Sequence, residues 1–591
     1  MVKSRRNQRS QSWINLGVTL LVVVLANALG SLYYQRIDLT SEKRYTLSET
    51  SLKLAQSLKE TLYFRLYLEG DMSAKFKQIK SELRDMAYEF REASGRKIEI
   101  EVVDPFEGQQ VKDISGILED FANRGIEPVR DIDSENPDET RIKYLLPGGE
   151  MNYAGKTVAV NFFEYDVAKS PEANIQAAID NMEYEFANAL RQCVRDKRPV
   201  IAVSDGHGEM IGAEVQSFAA ELSKFYSVSA LNLSTTDVSN FNPTPEQLAQ
   251  AGGSMDSLFW QNLGRIQRRL SMSDLLMIIK PENDFSPADL YLIDQYIMNG
   301  GRVLMLLDAL NIEIDSFQSN SSNFAFDRNL ENLSENLFRY GVKLESTLLL
   351  DQNCNQIPVP VGGRMEMMDF FYFPLFVPPS TPHVINKNVG AVWAQFPSSL
   401  EVKPREGMRA TPLLSSSAYN KVINAPAEVD LETARMQSID AQYRSNMVSS
   451  DIRSAGVLLE GQFQSPYKYQ KHYGNLPFKE AGESAMIVLA DGDLMRNPVS
   501  GRGRVYPTGY DRFSQITFAN KKFLLNCIDY LVDDQGLIEI RAKERRMRLL
   551  DPQKAREEKS YWKWFNLCLP LFTILLLGVF NQWLRKYRYT R

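Results

Sequence analysis

The chain has 591 residues, with 68 Lys and Arg against 74 Asp and Glu, 44% hydrophobic residues, four Cys and three His. At roughly 150 residues per domain three or four domains fit, with ample core, and the 24% charged and 10% aromatic fractions exclude a disordered or fibrous chain. A net charge of −6 argues against a general nucleic-acid binder, and the few His and scattered Cys argue against a His- or Cys-rich metal site and a disulfide scaffold.

The two ends differ from the average. Residues 14–34 form a run of 21 without a charge, and residues 565–584 a run of 20. At 1.5 Å per residue each predicts a helix of roughly 30 Å, the thickness of a bilayer's hydrocarbon core. Trp13, Tyr33 and Tyr34 border the first run, and Trp562, Trp564 and Trp583 the second, as an aromatic belt at the lipid–water boundary requires. A cleaved signal peptide is the competing reading of the first run, but the run exceeds a signal's apolar region and no clear cleavage site follows.

Basic tails flank both runs: Lys3, Arg5, Arg6 and Arg9 before the first, Arg585, Lys586, Arg588 and Arg591 after the second. The positive-inside bias then predicts an inner-membrane protein with two spans, both termini cytoplasmic and the large middle periplasmic. Between the ends stand 59 basic against 74 acidic residues, a balance of −15.

In chain order, the pattern predicts a cytoplasmic tail (1–13), a first span (14–34) and an N-terminal α/β domain (35–195). Ser48 reads as a helix cap before Leu52, Leu54 and Leu58. Phe64, Leu66 and Leu68 alternate as a strand, and Phe76, Ile79, Leu83, Met86 and Phe90 mark one face of a long helix. A strand at 97–103 completes a βαβ unit with parallel strands, a thioredoxin-like module without its C-x-x-C. A second amphipathic helix runs through Ile175, Ile179, Met182, Phe186 and Leu190.

Buried strands then alternate with helices over 196–350, the mark of a doubly wound sheet covered on both faces. Ser286-Pro287 opens a helix that Gly300-Gly301 closes. Residues 235–269 and 315–329 are polar and read as loops or an insertion. A Pro- and aromatic-rich β part is expected at 351–480, a return to the α/β domain at 481–540, a basic juxtamembrane helix at 541–564, a second span at 565–584 and a cytoplasmic tail at 585–591.

The most enzyme-like string is Asp205-Gly206-His207-Gly208-Glu209, at the carboxyl end of a buried strand where open α/β sheets place ligands. Two acids and an imidazole could support acid–base chemistry or a periplasmic hydrolase. The plainer reading is a tight turn whose glycines permit positive φ and whose polar side chains cap a helix. Asp308, Asp491 and Asp493 extend a strand-end acidic rim. Asp491-Gly492-Asp493 lacks the rest of a calcium loop and reads as a turn. Neither a metal nor a cofactor is expected, and at most one disulfide can form among Cys193, Cys354 and Cys527. Met367, with Phe370, Phe371, Tyr372 and Phe373, offers a partner surface or a packed core.

Five strings in order carry a resemblance: residues 36–51 (RIDLTSEKRYTLSETS), 199–209 (PVIAVSDGHGE), 280–308 (KPENDFSPADLYLIDQYIMNGGRVLMLLD), 340–359 (YGVKLESTLLLDQNCNQIPV) and 454–463 (SAGVLLEGQF). Together with the terminal spans they resemble the gliding-motility-associated ABC-transporter auxiliary proteins of the Bacteroidetes, the GldG type. The resemblance implies a non-enzymatic membrane-anchored subunit whose partners are a multispan permease, a cytoplasmic ABC ATPase, the lipid bilayer and a possible second copy of itself. It implies a role in surface gliding and associated secretion, and an outer domain similar to the glutamine-amidotransferase and flavodoxin-like folds, without that enzyme's nucleophile. No Walker A string is present, so ATP hydrolysis would belong to a partner. A receptor delivering a glycan, peptide or lipid to the permease is the alternative.

Overall fold

The computed structural model describes residues 46–533 and 558–589, apart from 109–113, 134–140, 164, 166–169, 196, 235–243, 251, 253, 319–320, 380–381, 388, 450 and 470–475, together with positions 17, 18, 21, 22, 24, 25 and 540. Two compact units result, Met1–Lys543 and Glu544–Arg591.

The first unit opens with α1 (Glu49–Gln56), whose cap Ser48 accepts the Ser51 N–H. Burial alternates along β1 (Leu62–Leu66), since successive side chains point to opposite faces. Helix α2 (Ala74–Ala93) buries Phe76, Ile79, Leu83, Met86 and Phe90, and β2 (Ile98–Val102) returns parallel to β1. After α3 (Ile114–Asn123) come the hairpin β3 (Val129–Asp133) and β4 (Arg141–Leu145), then β5 (Gly148–Tyr153) and β6 (Lys156–Asn161). The sheet order is β2-β1-β5-β6. Helix α4 (Pro171–Val194) covers it, and Phe186 packs on Phe64 and Phe90 with ring centroids 5.2 and 4.3 Å away.

The central sheet begins with β7 (Val200–Asp205), α5 (Gln216–Phe225), β8 (Ser227–Asn232), α6 (Met255–Ser271), β9 (Leu275–Ile279), α7 (Pro287–Met298) and β10 (Arg302–Leu306). There follow β11 (Leu310–Asn311), β12 (Ser322–Asp327), α8 (Glu331–Arg339), β13 (Val342–Leu344), β14 (Thr347–Asp351), β15 (Cys354–Val361), β16 (Arg364–Phe376) and β17 (Val392–Trp393). The unit continues through β18 (Leu400–Val402), β19 (Met408–Ser415), β20 (Asn420–Asn424), β21 (Ala427–Asp430), α9 (Leu431–Ile439), β22 (Ser454–Gln464), β23 (Ala481–Leu489) and α10 (Asn520–Val532).

The spatial order is β13-β18-β22-β23-β10-β9-β7-β8, with β19 also on β22. Strands β8, β7, β9, β10 and β23 are parallel, whereas β22, β18 and β13 continue antiparallel. Every residue of β9 is buried because both faces are covered. Leu276 and Ile278 join one core with Leu292 and Ile297 of α7; Leu275, Met277 and Ile279 join the other with Phe218 of α5 and Phe523 and Ile528 of α10. Helix α4 is tied to α10 by the Tyr184 hydroxyl, which donates to Asp529 (2.9 Å), and by the buried Arg191–Asp533 pair (3.0 Å).

Three expectations need correction. Residues 255–269, expected as loop or insertion, lie in α6, because Phe259, Leu263, Ile266 and Leu270 recur at helical spacing and bury among polar neighbours. Residues 322–327, also expected as loop, form β12, paired to β11 and β21 through backbone bonds that need no apolar pattern. The β-rich stretch is not a separate part: β18, β19 and β22 join the central sheet, leaving only small sheets outside it. All four cysteines are free, with Cys193 and Cys527 buried.

In the second unit, α11 (Lys559–Tyr589) contains the apolar segment Lys559–Leu584, within which an 18-residue window has a mean hydropathy of 1.8 and no buried residue. Among the described residues this is the one helix long and apolar enough to cross a membrane. Of the first expected span, only Gly17, Val18, Leu21, Val22, Val24 and Leu25 are described, all helical; Trp13, Tyr33, Tyr34 and residues 541–557 of the expected basic helix lie outside the described residues.

Candidate functional site at the carboxyl edge of the central sheet

The loop after β7 turns on two left-handed glycines, Gly206 (φ 107°) and Gly208 (φ 74°). A Cβ on Gly206 would lie 2.5 Å from the Ser234 hydroxyl, so the turn demands glycine twice over. The turn drives His207 inward to 4% exposure. Its Nδ1 lies 3.2 Å from Glu209 and its Nε2 3.1 Å from Asp289, while the ring stacks on Phe285 at 3.9 Å. Glu209 also accepts the Ser204 hydroxyl (2.5 Å) and the His207 N–H (2.6 Å). Asp289 belongs to the capping box that opens α7 with Ser286.

Burial works against an imidazolium here, but hydrogen bonds and charge from Asp289 and Glu209 outweigh it and raise His207 to about 9. His207 is therefore a charged clamp between the β7 loop and the start of α7, with both ring nitrogens engaged. Asp205 is half-buried and its carboxylate makes no hydrogen bond or ion pair among the described residues.

A second cluster sits at the ends of β9, β10 and β23. Lys280 follows β9 in a left-handed conformation (φ 48°), held by its N–H to the Leu306 carbonyl (2.7 Å). Its buried Nζ lies 2.7 Å from Asp493, 2.9 Å from Glu313 and 3.2 Å from Asp308. Asp308 accepts the Gly492 N–H (2.5 Å), and Asp491 accepts those of Gln395 and Asp493 (both 2.7 Å). Arg496 closes the outer side on Glu214 (2.6 Å), Asp493 (3.4 Å) and Glu313 (3.5 Å).

Burial pushes the Asp491 carboxyl well up, reinforced by Asp493 and Asp308. Burial also raises Asp493, against the pull of Lys280. Glu313 is held down because Lys280 and Arg496 overcome its partial burial. One oxygen each from Asp308, Asp491 and Asp493 lie within 4.8 Å of one another, a donor set suited to a hard cation. The Lys280 ammonium supplies the positive charge of that cluster from within the chain.

The expected rim is therefore two clusters: His207 with Glu209, and Asp308 with Asp491 and Asp493. Sequence reasoning missed Lys280, Asp289, Glu313 and Arg496. Lys280 carried one signal, a charge directly after the apolar strand LLMII. The expected partner surface is corrected as well. Phe370, Phe371, Tyr372 and Phe373 are buried, with Phe373 edge-on to Phe396 (5.2 Å) and Trp393 (5.9 Å), so only Met367 (46% exposed) remains outside. A cavity of about 530 Å³ lies elsewhere, at the carboxyl end of β1 and β2, lined by Arg65, Tyr67, Phe121 and Arg124.

Residues 198–527, more than half of the chain and including both clusters, match the family described as an ABC-type uncharacterized transport system. The chain belongs to this family of ABC transport auxiliary proteins. Membership gives the ABC transport auxiliary chain a transporter-associated role. Its residues 41–148 match a domain of unknown function. An uncharacterized protein of Borreliella burgdorferi is 20% identical over 543 residues, 91% of this chain and 90% of the relative. Among solved structures, the mmIFT52 N-terminal domain is similar at 13% identity and a TM-score of 0.29, over 57% of this chain and 98% of that one. The exo-beta-1,4-mannosidase Op5Man5 from Opitutaceae bacterium strain TAV5 is similar at 9% identity and a TM-score of 0.19, over 85% of this chain and 54% of that one. Neither superposition bears on fold or function.

Proposed function

We propose that this ABC transport auxiliary protein is a membrane-anchored, non-enzymatic subunit that couples a multispan permease and its cytoplasmic ATPase to components on the periplasmic side. The observation that carries the reading is α11: a 26-residue segment containing an 18-residue window of mean hydropathy 1.8, none of it buried, in a chain of this family. Trp562 and Trp564 near one end and Trp583 at the other suit the two lipid boundaries. The uncharged run at 14–34 supplies the first span, and the basic tails put both termini in the cytoplasm.

The parallel order β8-β7-β9-β10-β23 supports a flavodoxin-like assignment of the α/β domain, related to the glutamine-amidotransferase fold. The order β2-β1-β5-β6 supports a thioredoxin-like assignment for the N-terminal one. The closed clamp at His207 favours coupling over hydrolysis, and the mutually packed Phe370, Phe373, Trp393 and Phe396 leave no aromatic cleft there for a delivered ligand. By resemblance, the process served is surface gliding and its associated secretion.

Purification from detergent-solubilised membranes through a tag on this chain tests the proposal. A permease and an ABC ATPase should copurify in fixed ratio; recovery of the chain alone would refute it. Loss of surface gliding on deletion would support the finer assignment, and unchanged motility would remove it.

A further inference from the structure

The acidic body carries one face of the opposite character. At 3.6 residues per turn, α6 places Leu263, Ile266 and Leu270 toward the core, and Arg265, Arg268, Arg269 and the following Met272 on the opposite side. All three arginines are exposed, and Met272 is 74% exposed. Arg198, on the loop leading into β7, lies at the same amino-terminal end of the parallel strands. It donates to the Ser223 carbonyl (3.0 Å) beside the start of β8, while Arg269 donates to the Ala230 carbonyl of β8 (2.6 Å).

None of these four arginines has a carboxylate partner among the described residues. Arg265 donates to the Asn262 side chain (2.6 Å) and Arg268 to the Gly264 carbonyl (3.1 Å). Asp274, two residues past Met272, accepts the Val200 N–H (2.7 Å) instead. Many other surface cations meet acids, as in the Arg65–Glu101, Arg339–Glu335 and Lys403–Glu401 pairs, although Arg405 also bonds only carbonyls. The negative end of the α6 dipole favours Arg268 and Arg269, in its last turn, but not Arg265 in mid-helix or Arg198 outside it.

We propose that this face docks on anionic phospholipid headgroups and holds the α/β domain against the bilayer. Guanidinium groups fixed by neutral carbonyls keep further N–H donors for phosphate. Met272 supplies an apolar chain that can enter the headgroup region between them. An acidic protein partner would meet the charges equally; the bilayer is favoured because the proposed anchors of the same chain hold this domain beside it. The inference rests on the proposed membrane anchoring.

The test uses the full chain reconstituted in vesicles of phosphatidylcholine alone or with about 30 mol% phosphatidylglycerol. An environment-sensitive dye is attached through Met272→Cys, with Cys354 and Cys568 replaced by Ala. Flotation with phosphatidylcholine vesicles reports the anchor by itself. Docking predicts blue-shifted emission and quenching by headgroup-labelled lipid only with phosphatidylglycerol, reversed by high salt. At about a fivefold change per basic residue, Arg265→Glu, Arg268→Glu and Arg269→Glu together should weaken docking by about a hundredfold or more. Equal emission in both vesicle types, or no response to the triple substitution, would overturn the proposal even with flotation intact. Failed flotation would instead refute anchoring, and the proposal would then also require binding to phosphatidylglycerol vesicles alone.

Discussion

Replacing Lys280 by Met keeps most of the side-chain stem and removes the ammonium from three carboxylates at 2.7, 2.9 and 3.2 Å. Arg496 stays 3.4 Å from Asp493 and 3.5 Å from Glu313, and Arg328 is 3.7 Å from Asp308, so compensation is partial. Removing one partner of a buried ion pair costs about 3–5 kcal/mol, because the other charge stays buried. At about 2.1 cal/mol/K of unfolding entropy per residue over a unit of several hundred residues, that corresponds to an apparent Tm lowered by roughly 3–7 °C.

The deficit should also depend on pH. Asp491 and Asp493 already have folded pKa values above the unfolded 3.8, and without Lys280 that of Asp493 rises further. A carboxyl with a raised folded pKa contributes stability at low pH and loses it as pH rises through that value. The Lys280→Met deficit should therefore be larger near pH 8 than near pH 5.5. Thermal unfolding of the solubilised full chain, wild type beside variant, measures it. A drop under about 2 °C at both values, or a deficit that grows on acidification, would refute the reasoning.

His207 has a folded pKa of about 9 against an ordinary 6.5, so its contribution is full below about 6.5 and fades as pH rises through 9; His207→Gln should flatten the fall in Tm across that window, and parallel profiles would contradict the clamp. At Gly482, an added Cβ would stand 1.9 Å from the Met298 carbonyl oxygen, where β23 passes the end of α7. Gly482→Ala should cost more than about 3 kcal/mol and yield little soluble folded chain, as size-exclusion of the purified variant would show. In α11, Leu575→Arg puts a charge in mid-helix at about 3 kcal/mol. With the 14–34 run deleted as well, it should move the chain into the alkaline-carbonate supernatant, and full retention in the pellet would show that these two segments are not what hold it.

Periodicity made much of the architecture legible. The Phe76–Phe90 stripe of α2, the Ser286-Pro287 start of α7 and the apolar run of β9 are local signals, and each element formed where its pattern lies. Helix α6 escaped because its four buried apolar residues are diluted by Gln and Arg, and by the buried Asn262. At the site, the glycines around His207 announced a turn, but not where the imidazole would go. Its partner Asp289 lies 82 positions away and reads in sequence only as a capping residue.

What the sequence by itself determined is whatever depends on neighbours along the chain: the uncharged terminal runs, the strand–helix alternation and the helix caps. Tertiary structure alone decided which charges meet. Lys280 and Asp493 are 213 positions apart, and Asp308 joins them because parallel pairing of β9, β10 and β23 brings three strand ends side by side. A buried carboxylate must find a cation or a proton, and which one it finds depends on distances of a few ångströms across the sheet, which no local pattern encodes.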